Sequence, residues 1–236
     1  MIDLTQKLLA TRKLKKGKVG RYNVSDLYSI LNGYISPEEF LSGEKEPFID
    51  DLTDTYTMWN GVWKHKMIQE LLPEYEQEVR KEYKVDDEIT LIGKVDWIGE
   101  EVGELKTSAS IMGEAKKSAI HQVKIYLTMF EREIGRIFQP VVKKKEVYKF
   151  GKREKITAFN LKELSVVKRD DSWFNKEMSK LKDFHKKVKK VARLSLEECV
   201  KGCENFDEFC EKCNGLLSKS DRIAKEVWDE YAASTK

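Results

Sequence analysis

The chain of 236 residues is poor in several residue types, with only four prolines and three histidines, and it has no glycine- or serine-rich tract. No apolar run approaches the roughly 20 residues that a membrane-spanning helix needs. The stretch Met1–Lys7 lacks the charged-then-apolar order of a secretory signal, and there is no internal repeat. These absences predict a protein without a membrane partner. We expect it in the cytoplasm, or inside a host cell if it is viral.

Charge alone indicates no particular partner. Charged residues make up 36% of the chain, yet the formal net charge is only +3. A chain of this length can bury one substantial core. Any functional class must therefore be argued from local motifs.

A β-hairpin carries the most informative motif. Ile89–Ile98 is rich in isoleucine and valine and predicts a strand, Gly99–Glu101 predicts a tight turn, and Val102–Thr107 predicts a second strand. Side chains alternate faces along a strand, so Glu104 and Lys106 point the same way, and the hairpin can bring Asp96 beside them. Two carboxylates suit a hard divalent cation, with an ammonium next to it.

Two helices flank this hairpin in sequence. Upstream, a helix is predicted from Tyr56 to Leu72, with Gly61 and His65 on one side. Its apolar face is predicted to comprise Met58, Val62, Ile68 and Leu72. Downstream, Ser118–Phe130 is predicted to be amphipathic, with Gln122 and Tyr126 facing together.

The order GxxxH, GxxD, ExK, QxxxY resembles the RecB-like branch of the PD-(D/E)xK nuclease superfamily, including the CRISPR-associated RecB-like exonucleases. The four motifs run from Gly61 to Tyr126. The fold implied by the resemblance is α/β, a mixed β-sheet flanked by helices around a restriction-endonuclease-like nuclease core.

The resemblance also implies roles for individual residues. Asp96 and Glu104 are expected to bind Mg²⁺ or Mn²⁺, with His65 and the Leu105 carbonyl as further ligands. Lys106 is expected to position the attacking water or to stabilise charge on the phosphate. The QxxxY pair, Gln122 and Tyr126, is expected to hold the DNA backbone or to support the lysine.

Each residue also has an ordinary structural interpretation. The hairpin can be an exposed edge in a highly charged chain, and Lys106 a solvated lysine. A lone helical histidine such as His65 is more often a surface residue than a ligand, and Tyr126 can be core. Trp59, Trp63 and Trp97 all lie close to predicted core and do not discriminate.

The flanking elements complete a prediction of one nuclease domain over residues 1–194. Helices are expected near Leu4–Lys13, Ser25–Leu31 and after Ser36-Pro37, and strands near 76–84, 88–98, 102–108 and Arg136–Val142. A separate hairpin is expected to join Glu146–Phe150 to Lys155–Leu161. A long amphipathic helix from Ser172 is expected to bury Phe174, Met178, Leu181, His185, Val188 and Ala192.

All four cysteines lie in the predicted C-terminal helical subdomain, residues 195–236, at Cys199, Cys203, Cys210 and Cys213. The CxxxC and CxxC spacings suit a tetrahedral zinc site, and an iron–sulfur cluster, [4Fe–4S], is the rival. The related nucleases often carry such a cluster, but with one cysteine near the N-terminus, which this chain lacks. Four reduced structural cysteines remain the third possibility.

These features predict a metal-dependent DNA nuclease, an exonuclease more readily than an endonuclease, that trims single strands or duplex ends in recombination, repair, or phage or CRISPR DNA processing. A helicase, an integrase or another recombination protein is a candidate partner. The alternative is a non-catalytic DNA-binding or docking subunit of a larger DNA-processing complex. Intact Asp96, Glu104 and Lys106 favour the enzyme.

Overall fold

The computed structural model describes residues 5–9, 16–43, 51–107, 111–148, 152–212 and 222–234. The helices in this part of the chain are α1 Thr5–Leu9, α2 Val24–Leu31, α3 Pro37–Ser42, α4 Asp51–Gln69, α5 Lys117–Met129, α6 Asp171–Cys199, α7 Phe206–Lys212 and α8 Arg222–Ser234. The strands are β1 Arg21–Asn23, β2 Glu76–Lys84, β3 Thr90–Ile98, β4 Val102–Leu105, β5 Ile134–Tyr148 and β6 Lys152–Lys168. No helix among these residues is long and apolar enough to cross a membrane.

The six strands form one mixed sheet in the order β1-β3-β4-β5-β6, and β2 pairs with β3 outside that path. The β1–β3 and β4–β5 pairs are parallel, whereas the β3–β4 and β5–β6 pairs are antiparallel. Every residue of β4 is buried, as expected for a central strand with both faces covered. The predicted fold class, a mixed sheet flanked by helices, is confirmed.

The chain divides into two compact units. One comprises Met1–Leu9, Ile49–Lys81 and Gly93–Phe174, and the other comprises Ala10–Phe48, Glu82–Ile92 and Asn175–Lys236. The predicted domain boundary after residue 194 falls inside the continuous helix α6 and stays a prediction.

Local sequence rules account for several elements. Ser36 caps α3 in a capping box: its hydroxyl accepts from the Glu39 amide, and the Glu39 carboxylate accepts from the Ser36 amide, with Pro37 in the first turn. Helix α2 begins at Val24 after the N-cap residue Asn23, two residues before the predicted cap Ser25. Helix α1, Thr5–Leu9, lies within the predicted Leu4–Lys13, whose remaining residues lie outside the described ones.

The long amphipathic helix is confirmed as α6. All six residues predicted to face inward are buried: Phe174, Met178, Leu181, His185, Val188 and Ala192. The spacing was informative because a charged chain leaves few apolar positions, and those in α6 repeat at the helical period.

Helix α4 contradicts its predicted apolar face. Met58 and Val62 are 52% and 55% exposed, while Ile68 is buried. The buried side instead includes the polar residues Thr55 and Gln69. The reason is that α4 turns small and polar side chains towards the strands, so the usual rule of apolar residues facing inward fails.

The hairpin predicted to join Glu146–Phe150 to Lys155–Leu161 is confirmed over the described residues, where Glu146 pairs with Glu154 and Tyr148 with Lys152. The strand predicted to end near Val142 continues instead: β5 runs from Ile134 to Tyr148 and pairs along this length with β6. Lys143–Lys145 lie within β5, where the ladder carries a register shift between Lys143 and Lys144. The turn at Gly151 lies outside the described residues.

Candidate active site

The β3–β4 hairpin sets the two carboxylates side by side. Trp97 pairs with Gly103, and one further step along the same register places Asp96 opposite Glu104. Directly opposite residues of an antiparallel pair project from the same face. Gly103 permits this arrangement, because a Cβ atom at that position would collide with the indole ring of Trp97.

Asp96 is held from three sides. Its Oδ2 accepts a hydrogen bond from the Leu105 amide at 2.6 Å, and its Oδ1 lies 3.3 Å from Nδ1 of His65. The side chain of Gln69 donates to the Asp96 carbonyl at 3.1 Å. Asp96 is only 8% exposed, and these contacts come from both the hairpin and α4, which together orient its carboxylate.

His65 reaches this site from α4. Burial alone would lower the pKa of His65, but the hydrogen bond and charge of Asp96, with the charge of Glu104, outweigh burial and raise that pKa above its usual value. Gly61, four residues earlier, lies against the end of the second strand: a Cβ there would stand 3.4 Å from Oγ1 of Thr107. The predicted GxxxH side of the helix is therefore the side that faces the hairpin.

Glu104 is the most strongly perturbed acid of the site. It is 4% exposed, and burial, followed by the charge of Asp96, raises the pKa of Glu104 to about 7, against the opposing effect of Lys106. Its Oε2 is buried and has no hydrogen-bond partner. Leaving a buried carboxylate oxygen unsatisfied is costly, which marks this atom as an acceptor that awaits a donor or a cation.

A chain of hydrogen bonds holds Lys106. Its Nζ donates to Oε1 of Glu104 at 2.6 Å and to Oε1 of Gln122 at 3.0 Å. The amide of Gln122 donates in turn to the Tyr126 hydroxyl at 2.9 Å, and that hydroxyl donates to the Lys94 carbonyl at 2.8 Å. Burial, with the charge of Glu104, raises the pKa of Tyr126, so the phenol stays protonated as a donor.

The residues present fit a divalent cation in chemistry. Two carboxylates, an imidazole and the carbonyl-bearing Leu105 lie together, and the unpartnered Oε2 of Glu104 supplies a ligand position. Within the described ranges, however, no three His, Cys, Asp or Glu side chains converge as a metal site. Asp96 is engaged by His65, and Glu104 by Lys106.

Sequence reasoning missed Gln69 and Glu78. The buried amide of Gln69 donates both to the Asp96 carbonyl and, at 3.0 Å, to Oε1 of Glu78. Glu78, whose φ is 55°, pairs through its other oxygen with Lys94. Gln69 could have been predicted to face the hairpin, since it follows His65 by four residues and shares its helix face.

The three described cysteines form no disulfide with one another: Cys199 is partly buried, Cys203 is buried and Cys210 is exposed. The Cys203 thiol donates to the Cys199 carbonyl at 3.4 Å. Cys213 lies outside the described residues. The four-cysteine metal site or cluster stays a prediction.

A cleft adjoins the carboxylates. Its volume is about 560 Å³, and its lining includes Gly61, Lys64, Lys106, Thr107 and Lys116. Of the eleven described residues that line it, three are lysines and none is acidic, so this cationic cleft suits an anionic ligand.

The fold and this site define a mixed α/β protein with paired carboxylates at a central hairpin. The chain is similar to an alkaline exonuclease from Laribacter hongkongensis, with a TM-score of 0.50, 12% identity, and coverage of 84% of this chain and 100% of that one. The crystal structure of SSO0001 is similar with a TM-score of 0.49 and 18% identity, and the match covers 77% of this chain and 83% of that one. A phage related exonuclease from Haemophilus somnus 129PT has a TM-score of 0.39 and 14% identity, and the match covers 75% of this chain and 96% of that one.

No family model matches the chain. No curated protein matches it either. At these identities, the likeness to the Laribacter enzyme establishes a shared fold.

Proposed function

We propose that this chain is a metal-dependent nuclease that hydrolyses phosphodiester bonds in DNA, of the RecB-like branch that the motif order resembles. The observation that carries the proposal is the buried Glu104 beside Asp96, with one carboxylate oxygen unpartnered. A fold shared with an exonuclease is consistent with it.

The carboxylate pair makes a cation the natural partner. Two acidic side chains at the same face of a hairpin repel each other, which is part of why the pKa of Glu104 is raised. Asp96, Glu104, His65 and the Leu105 carbonyl are the groups that would hold Mg²⁺ or Mn²⁺. Such a cation, when bound, neutralises charge on the phosphate and favours ionisation of a water.

Lys106 has the position of a group that stabilises developing negative charge. Its ammonium is fixed by Glu104 and Gln122, and it lines the cationic cleft. A donor fixed in advance needs little reorganisation when charge appears on the phosphate oxygens. Gln122 and Tyr126 are positioning residues for this lysine, since the Tyr126 side chain is buried and bonded within the chain of donors.

The biological role that we propose is trimming of single-stranded DNA or duplex ends, by an exonuclease in preference to an endonuclease. Recombination, repair, or phage or CRISPR DNA processing are the settings for such an activity, in the cytoplasm or a host cell. A helicase, an integrase or another recombination protein is a candidate partner. Zinc or a [4Fe–4S] cluster on the four cysteines would serve a structural purpose.

The second candidate is a DNA-binding or docking subunit without catalysis. The contacts of His65 with Asp96 and of Lys106 with Glu104 favour it, because they satisfy both carboxylates in part without a metal. Cleavage of end-labelled DNA by the isolated chain separates the two candidates. Cleavage that requires Mg²⁺ or Mn²⁺ supports the enzyme, whereas DNA binding without cleavage supports the subunit.

A further inference from the structure

A second pocket lies next to the cationic cleft. This apolar pocket has a volume of about 350 Å³, within the usual range for small-ligand sites. Its walls come from α4, from β5 and β6, and from the segment at residue 111. The side chains that shape it are Trp63, Met67, Ile68, Ile111, Pro140 and Phe159.

Large apolar side chains are exposed around it. Trp63 is 52% exposed, Met67 48%, Ile111 68% and Phe159 48%. These residues come from separate elements and meet at one concave place, unlike apolar residues scattered singly over a surface. The sequence had placed Trp63 near the core, and the exposure corrects that interpretation.

The pocket wall is fixed before any ligand arrives. The buried Gln139 accepts a hydrogen bond from the Met112 amide at 2.8 Å, and Lys162 donates to the Met112 carbonyl at 2.6 Å. Both backbone groups of Met112 are thus held by side chains of the sheet, which positions the adjacent Ile111. A preformed site loses less conformational entropy on binding.

The apolar pocket adjoins the cationic cleft. Lys64 and Thr107 line both cavities, and Thr107 directly follows Lys106. A ligand that spans the two would place an aromatic or apolar group against Trp63 and Phe159 and an anionic group near Lys64 and Lys106. A nucleotide has this combination of a flat base and a phosphate.

We propose that the apolar pocket binds an unpaired base of the DNA strand whose backbone lies in the cationic cleft. The inference rests on the proposed function and narrows its substrate to single-stranded DNA or a frayed duplex end. A base within a duplex is paired and stacked, and extracting it costs free energy. An unpaired base gains stacking on aromatic side chains whatever its identity.

The test uses the full chain in EDTA, so that binding is measured without cleavage. Fluorescence anisotropy with a labelled single-stranded oligonucleotide compares wild type with Trp63→Ala and Phe159→Ala. Each variant should lose affinity about 5- to 100-fold, with little change for a blunt duplex. Trp59→Ala is the matched control, because Trp59 is a half-exposed tryptophan of the same helix that lines neither cavity. Trp63→Phe should retain most of the affinity, and circular dichroism confirms that each variant folds.

An abasic scan then locates the base. One abasic nucleotide, moved along the oligonucleotide, should weaken wild-type binding at a single position, and Trp63→Ala should abolish that position's effect. Equal binding of intact and abasic strands, or a loss in Trp63→Ala no greater than in Trp59→Ala, overturns the proposal. If Trp63→Ala and Phe159→Ala bind DNA normally, the pocket does not bind a base and would instead suit a protein partner. This result also overturns the proposal.

Cleavage assays separate the two proposals. If wild type with Mg²⁺ or Mn²⁺ cleaves no DNA while the abasic pattern holds, the nuclease function fails and the base pocket stands. If wild type cleaves single-stranded DNA and Trp63→Ala cleaves it with the same KM, the pocket fails and the nuclease stands.

Discussion

The ammonium of Lys106 donates to Oε1 of Glu104 at 2.6 Å, while Oε2 of the same carboxylate is buried without a partner. One oxygen is therefore engaged, and the other is buried without a hydrogen-bond partner. Lys106 can reach Glu104 because side chains alternate faces along a strand, so residues two apart point to the same face. This arrangement gives the carboxylate and the lysine separable roles that substitutions can test.

Removing either carboxylate should abolish most of the activity. Asp96→Asn and Glu104→Gln keep side-chain volume but remove a charge that would bind the cation, so cleavage should fall at least about 100-fold. Thermal unfolding should show the fold retained. Glu100→Gln, at an exposed carboxylate in the turn of the same hairpin, is the control. Cleavage at the wild-type rate by both site variants would refute the assignment.

Lys106→Ala should lower turnover about 100- to 1,000-fold, the usual cost of removing a fixed donor to developing charge. Binding of Mn²⁺, followed by calorimetry, should stay nearly unchanged because the ammonium is no metal ligand. Lys117→Ala, at an exposed lysine of α5, should match wild type. Normal single-turnover chemistry together with lost Mn²⁺ binding would assign Lys106 to the metal site instead.

Tyr126→Phe should report on positioning of the lysine. The substitution keeps the ring but removes the hydroxyl between Gln122 and the Lys94 carbonyl, which should cost about 1–3 kcal/mol of stability. We expect kcat to fall about 10-fold with KM unchanged, since the ammonium becomes less fixed. Tyr34→Phe, at an exposed tyrosine, should change neither. A change in KM alone would place Tyr126 in substrate binding.

The sequence predicted the hairpin, the positions of its three candidate side chains Asp96, Glu104 and Lys106, and the QxxxY helix, because each depends on local periodicity. It failed at α4, where Met58 and Val62 were expected inward and are exposed. A helix beside a polar site violates the rule that buried faces are apolar, and here Gly61, His65 and Gln69 provide the inward face. Trp63 and Phe159 lie on α4 and β6, so sequence spacing gave no means of pairing them across the pocket.

Buried His185 should make stability depend on pH. Its Nδ1 lies 2.8 Å from the Tyr22 hydroxyl, and Glu88, Asp86 and Lys189 face it. Burial lowers the pKa of His185 below 6.5, against the charge of Glu88. Below about pH 6.5, His185 becomes protonated in the unfolded chain while it stays neutral in the folded protein. The contribution of His185 to stability should therefore fall as pH drops below about 6.5.

Denaturant unfolding at pH 8, 7, 6 and 5 measures this effect. His185→Gln should unfold with a weaker pH dependence between 7 and 5 than wild type. An identical pH dependence in the two proteins would show that His185 does not contribute to it.

Elemental analysis of the purified chain should find about one zinc, or about four irons with sulfide. Cys203→Ser and Cys213→Ser should each release the metal and lower the stability of the region from residue 195 onward, since metal binding contributes to folding. If neither metal is found and four thiols can be titrated in the folded protein, the cysteines are reduced structural residues and the metal hypothesis is wrong.

The most direct measurement is hydrolysis of end-labelled single-stranded and duplex DNA by the isolated chain, with Mg²⁺, Mn²⁺ or EDTA, beside Glu104→Gln. The account predicts cleavage with either metal, none in EDTA, and at least about a 100-fold loss in the variant. No cleavage of either DNA by the folded wild type with both metals, or equal cleavage by Glu104→Gln, would contradict it.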